Sequence, residues 1–255
     1  MLNRRSLILL PLAAHLAPAL ALPRAAEQAL LQGAQLRVGI ERLAKLSLER
    51  QLLPERAALE LPKERLRVMG AMERLNDRQL RPTGLSGRRL AQLERALEGA
   101  AQFVGQLDAT PLHLLTESEA LAARLGFITT ALSGELEDPA RGAWVDLLAR
   151  ASASALRVGK LNFAAASALD RSAQVAVGAQ QSLLEFQSAL QAMDRGALPE
   201  RAQQELQLAQ HQWLLFRATL RDDGLLKSRE RLADLASTTD RIAEALGKTA
   251  QRLLA

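Results

Sequence analysis

Apolar residues recur along most of this chain at the three- and four-residue spacing of amphipathic helices. In the first such segment the stripe consists of Leu36, Leu43, Leu46 and Leu53. Prolines and glycines interrupt the pattern. These interruptions predict helix boundaries, because Pro suits the first turn of a helix and Gly its C-terminal end. The pattern predicts eight helices and no β-sheet.

The same punctuation gives approximate bounds for the helices. Pro54 is expected in the first turn of the second helix, and Pro62 is expected to break or kink that helix, so that its regular part begins near residue 63. The turn between the fifth and sixth helices is placed near 169–172, inside a long stretch without proline. The helices are expected over about 24–52, 63–76, 86–107 and 111–133, in two parts of 139–195 with Asp138 as the N-cap, from 199 to a turn at 222–224, and from there to the C-terminus.

A short segment occurs twice in the chain. Leu36-Arg37-Val38-Gly39 reappears 120 residues later as Leu156-Arg157-Val158-Gly159, and residues 118–126 resemble residues 239–247 at an offset of 121. Two matches at nearly one offset predict a tandem duplication. With short loops, each copy should form an up-down four-helix bundle, the first over 22–138 and the second over 139–255. We expect the two bundles to stack end to end.

The first residues have the pattern of a targeting segment. Met1–Arg5 is basic, residues 7–20 are apolar, and Ala19 and Ala21 provide the small residues of a cleavage site. The apolar run is shorter than the ~20 residues that a membrane-spanning helix needs, so a retained anchor is the less favoured alternative. We expect a signal peptide over 1–21 and a periplasmic mature chain that does not span the membrane.

The composition supports helices and narrows the class of partner. The chain is rich in Ala, Leu, Gln, Glu and Arg, has no Tyr, and is poor in the β-branched and aromatic residues that strands prefer. It has no cysteine, which excludes disulfides and thiolate chemistry. The formal net charge of +5 falls to +3 when Arg4 and Arg5 leave with the signal peptide. The remaining charges alternate in sign, so no nucleic-acid surface is predicted.

The sequence shows no pattern typical of catalysis. His15 lies in the predicted signal peptide, and His113 and His211 have no partner at metal-ligand spacing. No glycine-rich phosphate loop follows a strand, and no Gly-x-Ser-x-Gly motif occurs. Trp213 and Phe216, three residues apart, suit a helix core better than a ligand site. We therefore expect no enzyme activity, no metal and no cofactor.

The two repeated arginines, Arg37 and Arg157, are the remaining candidates for chemistry. Each is followed two residues later by a glycine, which costs ~1 kcal/mol relative to Ala inside a helix and so calls for a packing reason. In one interpretation the glycines let helices approach while the arginines extend to the bundle surface. In the other, each planar guanidinium faces a neighbouring helix or subunit and binds an anion. The local residues favour the first interpretation.

Further matches accompany the two arginines. The first copy carries Arg42-Leu43-Ala44-Lys45 after the repeated segment, the second carries Ala164-Ala165, and Gln212–Phe216 is similar to a Gln-Trp-x-Phe-Phe helix. Together these segments resemble the N-terminal domain of type IV pili methyl-accepting chemotaxis transducers, with its Ala-Gly-Arg-Gln-Arg-Met-Leu-Ser-Gln-Arg-Met-Ala-Lys motif. They also resemble the related P-box of nitrate and nitrite sensor kinases.

The resemblance implies a periplasmic, sensor-like helical module that binds a small, nitrate-like anion or an envelope protein, with a homodimer as one assembly. It implies that Arg37 and Arg157 lie at the anion-binding positions, and Arg42, five residues after Arg37, is expected to add positive charge there. The second copy departs from the pattern with Asn162 at the position of Arg42, and the carboxylate of Glu41 would oppose an anion nearby. The alternative is a structural or adaptor bundle, in envelope or type IV pilus-related assembly, with no small ligand.

Overall fold

The computed structural model of the chain consists of α-helices. It describes residues 17–77, 85, 87–167, 172–195 and 198–255. Within these residues there is no β-strand, and a single isolated bridge joins Leu220 to Leu226. The all-α prediction is confirmed. The helices are α1 (Ala17–Glu49), α2 (Pro54–Asn76), α3 (Gly87–Gly105), α4 (Pro111–Ser133), α5 (Pro139–Ala166), α6 (Ser172–Arg195), α7 (Glu200–Arg217) and α8 (Leu232–Leu254).

Side-chain caps explain two of the predicted starts. Thr110 precedes α4 and its hydroxyl accepts a hydrogen bond from the amide of His113, while the carboxylate of Asp138 accepts one from the amide of Arg141 at the start of α5. Each cap satisfies an amide that has no partner within its helix.

Several expectations fall at the edges of the described residues. Most of the predicted signal peptide, residues 1–16, lies outside them, and α1 begins at Ala17 rather than near 24. The expected turn at 169–172 also falls largely outside them, although separate helices α5 and α6 lie on either side. None of the helices in the described part of the chain combines the length and apolar character needed to cross a membrane.

Pro62 does not end a helix, so the prediction of a regular helix beginning near residue 63 is wrong. α2 runs from Pro54 to Asn76 with Pro62 inside it. The missing N–H of Pro62 leaves the carbonyl of Ala58, four residues earlier, without its helical partner. Both residues are exposed, so water can bond to that carbonyl instead.

The two helices that carry the repeated segment, α1 and α5, pack against each other along their lengths. Glu27 of α1 pairs with Arg141 of α5 at 3.2 Å, and 18 residues further along each helix Lys45 lies against Gly159. α1 and α5 are therefore parallel neighbours, and the expectation of end-to-end stacking is wrong. The reason is that α5 is buried over nearly its whole length from Leu148 onward. A helix buried on all faces must be covered on all sides.

The outer helices surround this central pair. α2 and α4 pack on α1, α6 and α8 pack on α5, α3 packs on α4, and α7 packs on α8. In addition, α4 contacts α5 and α8 contacts α1. The third helix after each of the two central helices, α4 or α8, therefore reaches both of them.

The glycines of the repeated segment allow close approach, although to different neighbours. A Cβ on Gly39 would lie 2.5 Å from Cγ2 of Val68, which brings α2 against α1. A Cβ on Gly159 would lie 3.0 Å from Oγ1 of Thr239 and 3.3 Å from the side chain of Lys45. At each position a side chain could not be added without movement of its neighbours, so close packing explains both glycines.

Candidate functional site

Arg37 extends from α1 to α4 and α5, where it meets a carboxylate. Its Nη1 lies 3.6 Å from Oδ1 of Asp146, a buried residue of α5 that also accepts hydrogen bonds from Thr129 and Thr130. The guanidinium rests against Gly126 of α4. Burial lowers the pKa of Arg37, with Asp146 opposing the shift, and the group stays charged. Arg37 thus connects three helices.

Arg157 extends from α5 to a different carboxylate. Its Nη2 lies 3.1 Å from Oε1 of Glu119 on α4, and its Nε donates a hydrogen bond of 3.2 Å to the same oxygen. The side chain of Arg157 is 23% exposed and that of Glu119 is 38% exposed, so this ion pair is accessible to water. Arg37 and Arg157 are not brought to one site, and each already holds an internal anionic partner.

Arg42, the third predicted residue, connects α1 to α2 and α8. Its Nη1 lies 3.4 Å from Oε2 of Glu64 on α2, and its Nε lies 3.3 Å from Oδ1 of Asp240 on α8. Its Nη2 also donates a hydrogen bond of 3.1 Å to the main-chain carbonyl of Asp240. Arg42 therefore contributes to helix packing through two carboxylates and a carbonyl.

Lys45, one turn after Arg42, has no exposed surface and shares Asp240 with it. Its Nζ lies 2.8 Å from Oδ2 of Asp240 and 3.7 Å from Oε2 of Glu49, and it donates a hydrogen bond to the carbonyl of Ala236. Arg56 of α2 contacts both Glu49 and Asp240. The network is nearly neutral, because three cations face three carboxylates.

Two groups of this network, Lys45 and Asp240, have shifted pKa values. Burial lowers the pKa of Lys45, because removal from water disfavours the charged form, and Asp240 and Glu49 oppose the shift. Burial alone would raise the pKa of Asp240, but the attraction of Lys45 and Arg42 outweighs it and lowers that pKa. Asp240 is therefore ionised at neutral pH.

A second buried pair connects the two central helices. Nζ of Lys160 on α5 lies 2.7 Å from Oε2 of Glu41 on α1, although the angle is not that of a hydrogen bond. The same Nζ donates a hydrogen bond of 2.8 Å to the hydroxyl of Ser118 on α4. Lys160 has no exposed surface and Glu41 is 2% exposed. The ion-pair partner of Glu41 is thus Lys160 on α5 rather than an arginine of its own helix.

A cavity of about 420 Å³ lies beside Arg42, between α1, α2, α5 and α8. Its apolar lining comes from one stripe of α1, one residue each of α2 and α5, and one stripe of α8. Leu31 and Val38 remain partly exposed in an otherwise buried stretch of α1 because they face this space. The apolar lining residues are Leu31, Ala34, Val38, Val68, Ala149, Ala243, Leu246 and Ala250.

Charged side chains at the cavity are predominantly basic. Four cationic residues, Arg42, Arg67, Arg74 and Lys248, line it together with two acidic ones, Glu64 and Glu244, for a net charge of +2. Three of these cations already have carboxylate partners at 3.2–3.4 Å. Arg74 differs, because its Nε donates a hydrogen bond to the neutral side chain of Gln32 and no carboxylate partner occurs among the described residues. The cavity is therefore lined by one cation, Arg74, whose charge is not neutralised by a carboxylate of the described residues.

Sequence reasoning found the three arginines but missed their partners. A signal for two of these partners was present, since Glu119 and Asp240 occupy equivalent positions of the second repeated segment. Glu119 on α4 contacts Arg157 of α5, and Asp240 on α8 contacts Lys45 of α1. The preceding hydroxyl residues, Ser118 and Thr239, also face these contacts, with Ser118 bonded to Lys160. An acidic residue at the same position of both repeated segments indicates a cationic partner for each, and these partners are different residues.

Other site types receive no support from the described residues. They contain no group of three or more His, Asp or Glu side chains placed to hold a metal ion. Trp213 packs edge-on against Phe186 with ring centres 4.7 Å apart, as expected for a core residue. Comparisons of the chain with family models, curated proteins and solved structures find no match.

Proposed function

We propose that the protein is a periplasmic, sensor-like helical module that binds a small anion in the cavity between α1, α2, α5 and α8. The observation that carries the proposal is this cavity, with an apolar lining and a net charge of +2. Ligand sites are commonly cavities of ~300–1,000 Å³ with mostly apolar walls and a few polar groups. The resemblance of the repeated segments to sensor domains supports the same class of function.

The proposal includes a tandem duplication preceded by a signal peptide over 1–21. The arrangement of α2 and α4 on α1 parallels that of α6 and α8 on α5, which supports modules over 22–138 and 139–255. The cavity is lined by helices of both modules. An anion bound there would contact both modules. Such a contact is required of a sensor in which the ligand changes how the two modules pack against each other.

Of the three arginines implied by the resemblance, Arg42 is the one that lines the cavity. We assign Arg37 and Arg157 a structural role, because Asp146 and Glu119 already neutralise them. If this assignment is correct, Arg37→Ala and Arg157→Ala bind an anion like the wild type at temperatures where both are folded. A selective loss of binding in either variant would favour the site implied by the resemblance.

The test is a thermal-shift screen with nitrate, nitrite, sulfate, phosphate and small carboxylates, followed by calorimetry on the anion that stabilises most. Arg74→Ala should weaken its binding about tenfold or more, since a hydrogen bond to a charged group contributes ~1.5–3 kcal/mol. Arg65→Ala is the matched control, because Arg65 is an exposed arginine of the same helix that does not line the cavity. No binding below millimolar concentration, or equal effects of both variants, would contradict the proposal.

The second candidate is an adaptor bundle that works through helix contacts and has no small ligand. The observation that favours it is an apolar stripe on α2, where Leu59, Leu66 and Met69 are 66%, 70% and 48% exposed. Their spacing of seven and three residues is that of a coiled-coil seam. A self-complementary stripe of this kind suits a homodimer, one of the assemblies expected from the sequence.

Sedimentation of the wild type and of Leu66→Glu separates the two candidates. A dimeric wild type, a monomeric Leu66→Glu and no response to any anion would favour the adaptor. Arg65→Glu changes charge next to the stripe without removing an apolar residue, and is the control for charge alone. A monomeric wild type that binds an anion would remove the support for the adaptor.

A further inference from the structure

We infer that the ligand of this cavity is an amphiphilic monocarboxylate, a carboxylate joined to a short apolar chain or ring, rather than an inorganic oxyanion. The inference rests on the proposed anion site and specifies its ligand class. It follows from the size of the cavity, the nature of its walls and the distribution of its unpaired charge.

The size of the cavity favours a ligand larger than nitrate. A four-atom oxyanion takes roughly the space of two waters, about 60 Å³ at ~30 Å³ per water. The cavity holds about 420 Å³. A nitrate ion bound there would leave most of the apolar wall in contact with water. Its binding would therefore gain nothing from the burial of apolar surface. A carboxylic acid with several carbon atoms fills the space better.

The walls of the cavity are partly apolar. Leu31 and Val38 lie seven residues apart on α1 and remain partly exposed at this space, and the buried side chains of Val68 on α2 and Leu246 on α8 complete its apolar lining. Each methylene removed from water at such a surface contributes ~0.8 kcal/mol. A ligand with an apolar chain therefore gains affinity that an inorganic ion cannot.

The charge distribution limits the ligand to a single carboxylate. Arg42 is paired with Glu64 and Asp240, Arg67 with Glu64, and Lys248 with Glu244. Arg74 is the lining cation without a carboxylate partner among the described residues, so the ligand carboxylate belongs beside Arg74. A second carboxylate would have to lie on the apolar wall or displace Glu64.

Gly247 provides a way to fill the cavity without disturbing the fold. It lines the cavity from within α8, and a Cβ placed on it would meet no heavy atom within 4 Å. A leucine at this position should therefore enter the cavity without a clash, and the helix gains from losing a glycine. Gly105 is the control, because it also has no neighbour within 4 Å of its Cβ and does not line this cavity.

The experiment is calorimetry on the purified protein with acetate, butyrate, hexanoate, nitrate and hexylammonium. We expect binding to tighten about fourfold for each added methylene from acetate to hexanoate. Hexylammonium should not bind. Gly247→Leu should weaken hexanoate binding at least tenfold without lowering the Tm, whereas Gly105→Leu should leave it unchanged.

The contrary outcomes are distinguishable. Nitrate binding as tightly as hexanoate, with no effect of chain length, would overturn the monocarboxylate while leaving the anion function in place. Hexanoate binding that is unchanged in Gly247→Leu would place the ligand elsewhere and overturn the inference. If none of the anions binds, the proposed function fails as well.

Discussion

Removal of either partner of the buried pair of Lys160 and Glu41 should destabilise the fold, because the charge that remains is then buried without its partner. Lys160→Met leaves the Glu41 carboxylate 2% exposed with its closest cation removed, and Glu41→Leu leaves the Lys160 ammonium without its carboxylate. Removal of one partner of a buried pair costs ~3–5 kcal/mol, because an uncompensated charge stays out of water. At ~2–4 °C per kcal/mol for a chain of this size, each single variant should lose roughly 6–20 °C in Tm.

The double variant, Glu41→Leu with Lys160→Met, should recover most of this loss. Replacing a buried ion pair by apolar residues of similar volume is often neutral or stabilising by ~1–4 kcal/mol. Ser118 does not become an unpaired group, since its hydroxyl also donates to the carbonyl of Leu115. Lys63→Met is the control, because the pair of Lys63 and Glu60 is exposed and contributes at most ~1 kcal/mol.

Urea unfolding followed by circular dichroism gives the four free energies of this cycle. A single variant that loses less than ~1 kcal/mol, or a double variant that loses as much as the two single losses together, would refute the reasoning. Either result would mean that the pair is accessible to water or that its neighbours neutralise the remaining charge.

Three further predictions concern the charge network, the repeated glycines and export. The pKa of Asp240 is lowered in the folded state, so its ionised form stabilises the fold above the unfolded pKa of ~3.9. This stabilisation is lost as the pH falls through the folded pKa. The difference in the free energy of unfolding between wild type and Asp240→Asn should therefore narrow from pH 7 to pH 3 in urea titrations. Gly39→Ala should lower the free energy of unfolding by ~1–3 kcal/mol because its Cβ meets Val68, whereas Gly247→Ala should raise it by ~0.5–1 kcal/mol, and equal effects would contradict the packing account. N-terminal sequencing of exported protein should return Leu22, and a chain that still begins with Met1 would contradict the signal peptide.

The sequence predicted the helices well because their boundaries depend on local chemistry. Thr110 and Asp138 cap helices through side chains next to the first turn, and the apolar stripe of α1 has the helical period. Pro62 misled the prediction because the cost of an internal proline depends on solvent access to the freed carbonyl. Access is a property of the packed structure and not of the local sequence.

The packing of α1 against α5 and the ion pairs between helices could not be predicted from the sequence. The sequence shows that Lys45 and Lys160 are on helices, but not that each is completely buried against carboxylates of other helices. The ion pairs of Arg37 and Arg157 span 109 and 38 residues, and no local pattern fixes such partners. The cavity arises where α2 and α8 flank α1, so it depends on the packing of three helices that are distant in sequence.

The most direct test of the central claim is methyl NMR of the protein labelled at Leu and Val, titrated with hexanoate. If the cavity between α1, α2, α5 and α8 is the anion site, the largest shifts should occur at the methyl groups of Leu31, Val38, Val68 and Leu246. Shifts concentrated instead on Val177 and Leu184, which line the separate groove of α6, would contradict the account. A spectrum that does not change at millimolar hexanoate would contradict it equally.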